Sequence, residues 1–206
     1  MFISIGNNCA PRLNLGNDRK SLAFDWILTG KNMDDPSTDR LTMKCVNNML
    51  TNVIEPQDMS FNLEREEIKK EDRWPYHMTH RIVDHPYFIS LHDLPLESDE
   101  SGFQALCDKM NRRLDRLKDF VRSEQHITFI RIEYFDFDLE DFVEFKNIIK
   151  SLNPNLDFKV DIVSYNNFCP DHDYDWLKIF TKKDNFVENV DWTPQWCSFN
   201  WNILFN

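Results

Sequence analysis

Between residues 87 and 165 the hydrophobic pattern changes period four times, and this alternation limits the fold more than any other feature of the chain. YFISLHDLP (87–95) is a short apolar run closed by a proline, the pattern of a strand. From 102 to 123, Phe103, Leu106, Met110, Leu114, Leu117 and Val121 recur at three- and four-residue steps with Arg and Lys between them, which predicts an amphipathic helix. ITFIRIEYF (127–135) is β-branched and aromatic and predicts a strand. Leu139, Phe142, Val143, Ile148, Ile149 and Leu152 space a second helix over about 139–152, which Asn-Pro-Asn stops. FKVDIVSY (158–165) is the next strand. Strands alternating with helices build a parallel sheet. The expected fold class is α/β: a three-layer, mostly parallel sheet with helices on both faces, forming a single domain over 1–206.

The flanking segments extend this frame. FISI (2–5) reads as a first buried strand ending at Gly6, and residues 39–53 suit a helix. SLAFDWILTG (21–30) is apolar except for Asp25. LEREEIKKEDR (63–73) is dense in charge, so 63–85 reads as a charged surface insertion or flap. The tail, 175–206, reads as an aromatic-rich C-terminal arm with one helix-like piece and an edge strand; it carries Trp192, Trp196 and Trp201. At 206 residues and 41% hydrophobic, the chain has ample material for a packed core.

Composition also excludes partners. No stretch approaches the ~20 apolar residues of a membrane helix, and the start is too polar after Ile5 for a signal peptide. A net charge of −11 opposes binding to nucleic acid through its phosphates. The five cysteines are scattered with no CxxC pair, which suits reduced thiols and a cytoplasmic location. The bias toward Asn and Phe over Ala and Gly hints at an AT-rich genome such as that of a large DNA virus, in which case the location is the host cytoplasm. The sequence leaves the oligomeric state open.

In α/β sheets, chemistry gathers at the carboxyl ends of strands. Two such places stand out: Gly6-Asn7-Asn8-Cys9 after the first strand, and His92-Asp93 at the end of the second. If the two strands are parallel neighbours, Cys9 and His92 meet at the sheet's top edge. A thiol at a helix N-terminus has a lowered pKa, and a nearby imidazole can take its proton. A carboxylate would orient that imidazole, while Asn8 or the Cys9 backbone N–H would stabilise an oxyanion. Asp25, set between Phe24 and Trp26, is either a buried carboxylate bonded to backbone N–H groups or the group that orients His92 or a substrate. By residue type and spacing alone, a lone cysteine after a strand is more often a packed core side chain than a nucleophile.

Five short motifs in order narrow the choice: Ser4-Ile5-Gly6-Asn7-Asn8-Cys9, Ala23-Phe24-Asp25-Trp26, His92-Asp93, Arg113-Leu114-Asp115-Arg116-Leu117 and Phe129-Ile130-Arg131. Together they resemble the family of papain-like cysteine peptidases that occurs as a domain of unknown function in bacteria and large DNA viruses. Ala23 stands where that family usually has proline, and Leu94 where it usually has an aromatic. The resemblance covers most of 2–165 and implies a thiol hydrolase. Cys9 would be the nucleophile, His92 the base, and Asp93 or Asp25 the orienting acid. Gly6, Asn8, Trp26 and Arg131 would serve the oxyanion and the substrate. The implied substrate is a peptide or a small acylated or glycan molecule, with no cofactor and no metal. A nucleophile after the first parallel strand is also similar to the serine of SGNH-like hydrolases, which keeps ester and amide hydrolysis and acyl transfer open.

Two other classes compete. Asp136-Phe137-Asp138 is an Asp-x-Asp that could hold a divalent metal for a glycosyltransferase or glycan-modifying enzyme; otherwise one of its carboxylates caps the following helix. His77-x-x-His80 is a weaker metal motif. A catalytically inactive binding protein on a hydrolase-like fold is the third class.

Overall fold

The strongest strand and helix patterns fold within a residue or two of where their periodicity puts them. The structure, a computed structural model, describes residues 1–6, 22–25, 27–31, 36–71, 79–181, 199–201 and 203. In chain order the elements are β1 (Phe2–Ser4), β2 (Ile27–Leu28), α1 (Met43–Thr51), β3 (Ser60–Phe61), α2 (Leu63–Glu71), β4 (His80–His85) and β5 (Phe88–Pro95). They continue with α3 (Gly102–Ser123), β6 (His126–Glu133), α4 (Leu139–Leu152), β7 (Asp157–Ser164) and β8 (Leu177–Thr181).

Four strands form a parallel sheet in the order β1-β6-β7-β8. Spatial order follows chain order, so right-handed crossovers carry the connecting helices to one and the same face. There Val46 and Met49 of α1, Met110, Leu114 and Leu117 of α3, and Phe142, Phe145 and Ile149 of α4 pack with Ile127, Phe129, Val160 and Ile162 of the sheet. The opposite face is covered differently. Ile130, Ile132, Val163 and Phe180 lie with Phe199 and Trp201 of the C-terminal segment, and no described helix contributes to that cluster. Among the described residues, helices therefore cover one face of the parallel sheet rather than both.

The strand over 87–95 is present but belongs to a different sheet. β4 and β5 are joined by only two residues, Pro86 and Tyr87, and so short a connection permits only antiparallel pairing. The result is a four-stranded antiparallel sheet of order β2-β5-β4-β3, with His92 and Asp93 inside β5 rather than beyond the end of a parallel strand. Of the stretch 63–85, the described parts are α2 and β4, the latter pairing with both β3 and β5. Val83, Phe88 and Leu94 of the antiparallel sheet join the helix-lined core; Leu28, Ile82 and Ile89 pack on Leu41 and Cys45.

One irregularity matters for the site. Val83 pairs with Ser90 and Arg81 with Leu94, so Ile82 alone faces Leu91, His92 and Asp93. The extra residues make a bulge, a device that re-aims side chains along a strand. No helix among the described residues is long and apolar enough to cross a membrane.

Candidate functional site

The first corner of the site is built on Gly6. It follows β1, and its φ of +97° is a conformation that costs glycine little. A Cβ there would sit 1.9 Å from Thr29 Oγ1 and 3.3 Å from Arg131 Nη1, so no larger residue fits. Arg131 explains the crowding. It is fully buried, and its Nη1 donates to Ile5 O (2.9 Å) and Thr29 Oγ1 (3.0 Å), its Nη2 to Thr29 O (3.1 Å) and its Nε to Glu133 Oε1 (2.5 Å). One guanidinium thus ties the ends of β1 and β2 to β6 and supports the Gly6 turn from within the protein.

Glu133, the counter-charge, is a residue the sequence reading passed over. Arg131 and Glu133 lie two apart on a strand, hence on one face, within an apolar run; that spacing is the signal that exposes the pair. Burial outweighs the Arg131 guanidinium and pushes the Glu133 carboxyl above its ordinary value.

The second corner lies at the bulge. Asp93 accepts from Ser90 Oγ (2.6 Å) and from Lys109 Nζ (2.5 Å), with Arg113 Nη1 at 3.5 Å. Its side chain is only 4% exposed. Burial by itself would raise this carboxyl, but the hydrogen bonds from Lys109 and Ser90 and the charges of Lys109 and Arg113 outweigh it and hold the group below its ordinary value. His92 is exposed, with its ring centroid 6.1 Å from that of His80 in an edge-on arrangement. Partial burial and then His80 lower its pKa against the pull of Asp93, so the ring is neutral at neutral pH, the form a general base needs.

Strand β2 links the two corners. Its Ile27 pairs with Ser90; Asp25, two residues before Ile27, and His92, two residues after Ser90, stand at the same end of that antiparallel pair. Asp25 is fully buried at the end of a 3-10 turn (Ala23–Asp25), and its Oδ2 accepts from Leu22 N–H at 2.7 Å. That is the backbone bond expected of a buried carboxylate. At the other end of β2, Thr29 touches the Gly6 corner; four residues of chain span at most about 14 Å. Cys9, Asn8 and Trp26 lie outside the described residues, as does His77.

Two concavities flank this region. A cavity of about 220 Å³ opens at the carboxyl end of β6, lined by Glu133, Asp136, Asp138, Asp141 and Lys31. A larger one of about 370 Å³, beside Lys146, Lys150 and Trp176, lies at the amino end of β7, away from the ends where α/β sites form. The Asp-x-Asp carboxylates both have structural partners: Asp138 caps α4 by accepting from Glu140 N–H (2.9 Å), and Asp136 accepts from Asn166 Nδ2 (2.7 Å). Among the described residues, no group of three or more His, Cys, Asp or Glu could hold a metal ion.

A model of the family described as "Putative papain-like cysteine peptidase (DUF1796)" matches residues 1–167. The chain belongs to this family. No curated protein and no solved structure matches it. The match to the peptidase family takes in both corners of the site and ends between β7 and β8, so β8 and the aromatic cover of the second sheet face lie outside it. At family level this supports cysteine hydrolase chemistry.

Proposed function

We propose that the protein is a cysteine hydrolase with Cys9 as nucleophile, His92 as general base and Asp25 as the carboxylate that orients the imidazole. The carrying observation is the β2–β5 register, which leads Asp25 and His92 to the same end of one ladder. Asp93 suits the orienting role less well, because three donors on its own strand and on α3 already engage it. Cys9 follows Gly6 by three residues, a reach of at most about 11 Å. Arg131, which bonds both Ile5 and Thr29, ties the start of that reach to β2. In the reaction, His92 takes the thiol proton, the thiolate attacks an acyl carbon, and the imidazolium returns the proton to the leaving group. Water then releases the acyl enzyme. The substrate is a peptide or a small acylated molecule.

Iodoacetamide labelling tests this directly. Cys45 and Cys107 are buried, and burial pushes their thiols up, Cys107 to about 11. Cys169 is exposed and supplies the internal benchmark. Cys9 should alkylate at least about tenfold faster than Cys169 near neutral pH, and His92→Ala should erase that advantage. Equal rates at Cys9 and Cys169 in the folded protein would rule the nucleophile out.

A further inference from the structure

We propose that His85 is an acid-operated latch: when its ring takes a proton, the β4–β5 hairpin lets go of its seat on α1 at the turn. The inference does not depend on which residue attacks a substrate. It bears on the candidate site through β5, the strand that carries His92 and pairs with β2.

The geometry holds the ring in one state. The Tyr87 backbone N–H donates to His85 Nδ1 at 3.1 Å, so Nδ1 offers its lone pair and the ring proton sits on Nε2. That Nε2 is buried and, among the described residues, has no hydrogen-bond partner. A donor without an acceptor, in a residue only 2% exposed, is destabilising in itself and is relieved when water reaches it. A second proton can go only to Nδ1, where the Tyr87 N–H already points. Protonation therefore sets one N–H against another and breaks the bond that closes the Pro86–Tyr87 link.

Nothing else in the seat suits a charged ring. The imidazole lies flat on Phe88, with ring centroids 4.7 Å apart, and edge-on to Tyr87 at 5.0 Å. Arg40, just before α1, spans the same link: its Nη1 donates to His85 O (2.8 Å) and Pro86 O (3.1 Å), and its Nη2 pairs with Asp84 at 3.3 Å. Asp84 is also bonded by Asn62 Nδ2. From α1 comes Cys45, its Sγ 3.9 Å from Pro86 O, a thiol that burial pushes up and keeps uncharged. Asp58, in the 3-10 turn Pro56–Asp58, is the anion that favours a charged ring. Burial dominates, Arg40 adds to it, and against Asp58 they bring the His85 pKa down to about 4.

The sign of the effect follows. In the opened link the ring regains its ordinary pKa of about 6.5, so acid favours the open form. The latch gives its full support above about pH 6.5 and loses it as the pH falls toward the folded value. Across that window the open fraction should rise roughly tenfold for each pH unit.

Hydrogen exchange between pH 6.5 and 4, corrected for the intrinsic pH dependence, tests the latch. Protection of β4–β5 amides, referenced to those of β6–β7, should fall roughly tenfold per pH unit. His85→Phe, which keeps an aromatic ring against Phe88, and His85→Gln, which keeps an acceptor for the Tyr87 N–H, should both flatten that slope. A proton NMR titration of the wild-type ring should give a midpoint below about 5. A midpoint near 6.5, β4–β5 protection that tracks β6–β7 at every pH, or a variant that keeps the wild-type slope would overturn the proposal. If neither variant folds, the ring titration and the wild-type slope decide it.

Discussion

Arg131–Glu133 and Lys109–Asp93 are both cation–carboxylate pairs with a 2.5 Å contact, yet their carboxyls shift in opposite directions. The difference lies in who else attends the carboxylate. Asp93 has Ser90, Lys109 and Arg113, and Lys109 keeps a third of its side chain in solvent. Among the described residues Glu133 has Arg131 Nε–H as its donor and Lys31 as a weaker nearby charge, while Arg131 directs its other bonds to Ile5 and Thr29. Proximity of one positive charge does not compensate for full burial; several donors do. The first arrangement makes a firm joint between strand and helix. The second leaves a carboxyl whose burial outweighs the charges beside it.

The largest test of this contrast is Arg131→Met. Losing the guanidinium strands Glu133 and orphans the carbonyls of Ile5 and Thr29, so urea titration should show a loss of about 3–5 kcal/mol. Replacing Glu133 by Leu in the same chain should recover part of it, and a cost below about 1 kcal/mol for Arg131→Met would remove the keystone role. Next comes Gly6→Ala, whose Cβ would overlap Thr29 Oγ1 at a positive φ. We expect about 1–3 kcal/mol, of which Thr29→Ala relieves only the steric part.

The smallest effect separates the two carboxylates by sign. Asp93 has a depressed folded value, so its support is present above the unfolded carboxyl pKa of about 3.9 and is lost as pH falls through the folded value. Asp93→Asn should therefore lag wild type by about 1.5 kcal/mol at neutral pH and converge with it in acid. Glu133 is raised, so its contribution is present below about 4.3 and is lost as pH rises through the folded value. Glu133→Gln should gain on wild type over that rise. Thermal melts from pH 3 to 8 would read both slopes, and parallel slopes would refute the contrast.

What the sequence disclosed follows the same physics. α3, α4, β6 and β7 are long and strongly periodic, and each folds within a residue or two of its pattern. The antiparallel sheet is hidden because β2 and β3 are two residues each and because β4, His80–His85, carries four titratable side chains. An apolar run such as 87–95 announces a buried strand but not its direction, which here was written in the two-residue Pro86–Tyr87 link. Likewise His92-Asp93 can be read as reactive chemistry, whereas the bulge that turns Asp93 onto Lys109 depends on pairing with a strand that could not be seen. Arg131 was visible only through the family motif, as a substrate contact; its full burial and its bonds to Ile5, Thr29 and Glu133 depend on strands far apart in the sequence.

The pairing of β1 with β6 also sets an order of events during synthesis. Ile5 waits for Arg131, 126 residues downstream, and at ribosomal speeds that separation lasts roughly 6–25 s. Through that interval β1 has no strand to pair with and Gly6 has no guanidinium to brace its turn. The nascent chain therefore cannot assemble the site as it emerges. The Gly6 turn is braced only after α3 and β6 exist, so this corner of the fold stays unformed until most of the chain has been made.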